Sequence, residues 1–156
     1  MTPDGCLKVF AFLEAVWTND DHTRAHLDSR VYGGGRMKDL LVSYLEELVR
    51  NPMLLTANEG STGGQRDPDA RTTDLAPVLV DTLREWARTG GEEAAVGIAH
   101  SVIAYLLVCV ASAQGDLLAA LPQLRHAAAR SWPEFDFRAA EPTRTHRGGP
   151  GSPSAV

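Results

Sequence analysis

Apolar residues recur at three- and four-residue spacing through most of the chain, the period of a helix rather than of a strand. Leu7, Phe10, Leu13 and Trp17 form the first such stripe, widened by Cys6, Val9 and Val16, and predict a helix over Asp4 to Trp17. The polar run from Thr18 to His22 interrupts it, and Asn19 or Asp20 is suited to accept a backbone N–H and open a short second helix to about Ser29. Gly33, Gly34 and Gly35 end that element. Met37, Leu40, Leu41, Tyr44, Leu45 and Leu48 then share one helical face, with Lys38, Ser43, Glu46, Glu47 and Arg50 largely opposite, until Asn51-Pro52 stops the helix.

Residues 56–73 are polar and glycine-rich, and at 18 residues exceed the usual connection in a compact bundle, so they read as a mobile or functional loop. The next helix is expected to open at Thr73 or Asp74, with Pro77 in its first turn where a missing N–H costs little, and to align Leu75, Leu79, Leu83 and Trp86 before Gly90-Gly91. Glu92 to about Ala113 reads as an apolar helix, followed by Gly115-Asp116 as a stop and a new N-cap. Leu117 to Ser131 continues as helix, broken or bent near Pro122. Phe135 and Phe137 are placed to fold back as an apolar clamp. Residues 141–156 hold three prolines, three glycines and a single terminal valine, too little apolar surface to offset ordering entropy. The reading is all-α: a compact bundle of about five helices in one domain over 1–138, with a disordered tail over 139–156.

Composition changes this picture little. Apolar residues make up 44% of the chain, enough to rule out wholesale disorder, and the predominance of Ala, Leu, Glu and Arg over β-branched residues favours helix. The net charge of −5 works against nucleic acid as a general partner, because phosphate needs a concentrated cationic face. Arg84 with Arg88 is the one hint of a DNA-reading helix. Residues 94–113 contain no Asp, Glu, Lys or Arg over 20 positions, the length of a membrane span, but Gly97, His100, Ser101 and Ser112 dilute the run and acidic residues flank it. A buried central helix is the preferred reading and a membrane is not expected. No secretion signal is recognisable, which with two widely separated cysteines points to reduced thiols and the cytoplasm.

Candidate chemistry is sparse. His22 and His26 stand one turn apart beside Asp21, a spacing at which two imidazoles can share a divalent metal, and His100, expected to be buried, is the possible third ligand. Capping by Asp20 or Asp21 and a core role for His100 are the plainer explanations. Gly33-Gly34-Gly35-Arg36 precedes a helix, so its amides and Arg36 are a candidate anion site, although no phosphate-loop signature is present. The chain has no Gly-x-Ser-x-Gly elbow and no Glu-x-x-His, which argues against a hydrolase triad and a di-iron bundle. The leading expectation is a non-catalytic helical interaction or adaptor protein, or a self-associating scaffold, without cofactor, with Trp17, Trp86 and Trp132 as candidate anchors. A metal-dependent enzyme with one divalent ion at the His/Asp cluster is the alternative, and a DNA-binding regulator the third reading.

Overall fold

A computed structural model describes residues 1–30, 35–51, 70–91 (side chains from 75 onward), 93–109 and 115–137. The described residues form six helices: α1 Pro3–Trp17, α2 Asp21–Asp28, α3 Met37–Arg50, α4 Ala70–Thr89, α5 Ala94–Cys109 and α6 Leu117–Ser131. The fold is the expected all-α bundle, with α2 a short addition to five longer helices.

Local chemistry sets most of the ends. Thr2 caps α1 by accepting the Gly5 N–H at 3.1 Å, with Pro3 supplying the first helical residue. Asp20 caps α2, accepting from the Thr23 amide at 3.0 Å and from its hydroxyl at 2.7 Å, and these bonds hold its carboxyl below the usual range. Asn19 takes a positive φ of 54° to turn the chain between α1 and α2. Asp116 caps α6 through the Leu118 amide at 3.0 Å, after Gly115 at φ 81°.

Three helices, α1, α3 and α5, pack on one another at the centre. The helix α4 lies along α3 and α5, α6 lies along α1 and α5, and α2 rests on α1 and the start of α3. Phe10, Phe12, Leu13, Leu41, Leu45, Ile98 and Leu106 are fully buried where these helices meet. The Phe10 ring meets Tyr44 edge-on at 5.5 Å. Phe137 returns to the core as expected, its ring edge-on to Phe135 at 4.9 Å and tilted against Trp132 at 6.2 Å. Ion pairs tie the layers: Arg125 to Glu14 at 3.4 Å between α6 and α1, and Arg84 to Glu46 at 3.3 Å between α4 and α3. Lys38 donates to the Gly90 carbonyl at 2.9 Å, placing a cation on the C-terminal end of α4.

Three expectations are corrected. The helix α4 begins at Ala70, so Pro77 sits inside it rather than in its first turn. Ala70 and Arg71 are good helix formers, and an exposed helix tolerates one missing hydrogen bond. Pro122 likewise lies within a continuous α6. Nor is α5 buried all round: His100, Ala104 and Val108 reach solvent on one stripe. Its assigned helix ends at Cys109, and the expected extension to Ala113, the greater part of the 56–73 loop and the 139–156 tail fall outside the described residues.

Candidate functional site

The short turn at Gly90-Gly91 folds α5 back antiparallel along α4. Gly90 donates its amide to the Trp86 carbonyl at 2.7 Å, and a Cβ there would stand 2.7 Å from that oxygen and from Ala94 Cβ, so the turn admits glycine alone. Four residues before the turn, the Trp86 indole lies across Gly97, and a Cβ on Gly97 would approach the ring's Cζ2 to 2.7 Å. This contact fixes the register of the hairpin.

Leu75 lies eleven residues before Trp86 on α4 and Val108 eleven after Gly97 on α5, about 16 Å of helical rise in each case. Between them, α4 presents Val78 and Thr82, and α5 presents His100 and Ala104. Both stripes, Leu75–Val78–Thr82–Trp86 and Gly97–His100–Ala104–Val108, step by three, four and four residues. That is the spacing of a packing seam. Each helix already has a buried seam, through Ala76, Val80, Leu83 and Ala87 on α4 and Ala95, Ile98, Val102 and Leu106 on α5. The outer seam is thus a second one. Its apolar side chains are open: Leu75 is 65% exposed, Val78 60%, Val108 73% and Trp86 41%. No formally charged residue lies on the α5 stripe between Gly97 and Val108, and on α4 the exposed charges are paired, Arg84 with Asp81 and Arg88 with Glu85. Sequence reasoning named Trp86 as an anchor but missed its stripe.

The remaining candidates fall elsewhere. Trp17, at 37% exposure, closes α1, and Trp132, half-buried, borders a cavity of about 50 Å³ among α1, α3 and α6. Cys6, Tyr44, Leu48 and Leu124 also line that cavity. Burial pushes the Cys6 thiol up to about 12 and the Tyr44 phenol well above its ordinary value, so both stay protonated and un-nucleophilic at neutral pH. The space is smaller than a benzene-sized cavity. On α5, burial raises Tyr105 to about 12 and also raises the neighbouring Cys109 thiol. The two cysteines are unbonded.

Asp21, His22 and His26 are exposed on α2, and Asp21 is engaged by Arg24 at 2.9 Å. His100 was expected in the core and is exposed instead, on α5, a helix against which α2 is not packed. Among the described residues no three His, Cys, Asp or Glu side chains converge in a metal-holding group. Arg36 is the N-cap residue of α3, but its own amide donates to the Asp39 carboxylate at 3.0 Å. That carboxylate already occupies the positive end of the helix. The guanidinium groups of Arg84 and Arg88, the hint of DNA reading, are held by carboxylates. Among the described residues no helix is long and apolar enough to cross a membrane. Protein-family models, the curated proteins and the solved structures offer no match to this chain, so its function has to be argued from the outer face of α4 and α5.

Proposed function

We propose that this is a non-catalytic helical interaction protein that works through the outer face of the α4–α5 hairpin, and that the first partner of this face is a second copy of the chain. The observation that carries the reading is the second seam: two stripes with identical three-four-four spacing on consecutive helices, joined where Trp86 meets Gly97, open to solvent and lacking charge on α5. A face built this way is self-complementary. A two-fold axis running along the hairpin sets α4 of each copy antiparallel on α5 of the other, with bulky Leu75 and Val78 facing Val108 and small Ala104. The footprint also suits a dimer. A 20-residue helix is about 30 Å long, and two helices side by side give roughly 600 Å² in projection, on the scale of the ~800 Å² per partner of a standard interface.

Sedimentation of the full chain over a wide concentration range tests the proposal. Association is expected in the native protein, with Val108→Asp monomeric and unchanged in melting temperature at low concentration, because that side chain is already 73% exposed. A native protein that stays monomeric at high concentration, or a Val108→Asp variant that associates equally, removes the reading.

A further inference from the structure

The chain is acidic, yet three of its basic residues surround one groove. The C-terminal end of α2, the first turn of α3 and the α4–α5 turn leave an open space of about 460 Å³ lined by Asp28, Ser29, Arg30, Arg36, Lys38 and Gly91. The volume is within the range of small-molecule sites. Most basic residues on the helix surfaces are paired, Arg130 on α6 being an exception. Lys8, Arg24, Arg50, Arg84 and Arg88 each pair with a carboxylate three or four residues away on the same helix. Arg30 and Arg36 have no carboxylate partner among the described residues, and both are exposed. Lys38 gives one N–H to the Gly90 carbonyl, which leaves two for a ligand.

Counting Asp28, the described lining residues carry a net charge of +2 in a protein whose net charge is −5. Arginine forks at two points of a groove match oxyanions in bidentate geometry, and lysine adds a point charge between them. The α3 terminus takes no part in this, since Asp39 fills it; the groove works through side chains. We infer that this groove binds a compact phosphate-bearing small molecule with two phosphate groups, gripped by Arg30, Arg36 and Lys38.

The test is calorimetric titration of the full chain with pyrophosphate, and with orthophosphate at matched ionic strength. Pyrophosphate is expected to bind at least about tenfold more tightly than orthophosphate, and its affinity to fall with added salt. Arg30→Gln with Arg36→Gln should abolish the heat, while Arg130→Gln, an exposed arginine on α6, should leave it unchanged. Circular dichroism checks that each variant keeps its helix content. Absence of pyrophosphate binding, equal binding of the two anions, or equal loss in Arg130→Gln overturns the inference.

Discussion

Replacing Gly97 by alanine puts two opposing effects on one atom. A helical glycine costs about 1 kcal/mol relative to alanine, so in an open position the substitution stabilises. Here the new Cβ meets the Trp86 indole, with Cζ2 only 2.7 Å away, and the ring has to swing off the helix. The indole is 41% exposed, so it has room to leave, and the cost is the contact it gives up. If displacement returns half of a buried tryptophan's ~150 Å² to water, the loss is roughly 2 kcal/mol. Gly97→Ala should therefore destabilise by about 1 kcal/mol net in the native background. In a Trp86→Ala background the obstacle is gone, and the same substitution should stabilise by about 1 kcal/mol. Chemical denaturation of the four proteins in this cycle, followed by circular dichroism, gives a coupling of roughly 2 kcal/mol between the two positions. A Gly97→Ala effect of the same sign and size in both backgrounds would show that the indole does not rest on Gly97, and the register of the outer seam would fall with it.

Two further outcomes follow from the same structure. The Cys6 thiol ionises near 9 when unfolded and about 12 when folded, so its contribution to stability is whole below pH 9 and is lost as pH rises through 12. Between those values native stability should fall more steeply than that of Cys6→Ala, by up to about 1.4 kcal/mol per pH unit, and denaturation curves at pH 8 and 10.5 with parallel slopes for the two proteins would contradict the burial argument. His22→Ala with His26→Ala changes only exposed side chains on α2, so stability should shift by less than about 0.5 kcal/mol and be indifferent to chelator; a chelator-sensitive melting temperature lost in the double variant would reinstate the metal reading.

Much of the fold was legible because its helices follow local rules. The apolar stripe of α3, the caps at Asp20 and Asp116 and the return of Phe137 all follow from spacing and from residues a turn apart. Where sequence reasoning failed, two arrangements looked alike along the chain. An apolar helix with an outer seam free of charge has the same pattern as one buried on every side, so α5 was read as wholly internal and His100 as a core residue. Pro77 fits a first turn as well as it fits an exposed helical interior, which shifted the expected start of α4. The Trp86–Gly97 contact joins residues eleven apart across a turn, beyond the reach of a periodicity argument. The brevity of the Gly90-Gly91 turn was the available signal, since folding the chain at that point brings these two positions level. The groove at Arg30 and Lys38 combines three elements, and of its cations only Arg36 drew notice, for a helix terminus that its own carboxylate fills.

The placement of Trp86 at the rim of the outer seam gives that face an optical reporter. An indole partly in water emits to the red of one sealed in a dry interface, so any molecule that covers the seam shifts its emission to shorter wavelength without a label. Trp17 and Trp132 lie off this hairpin, and replacing both by phenylalanine would isolate the one emitter whose colour records whether the face is occupied.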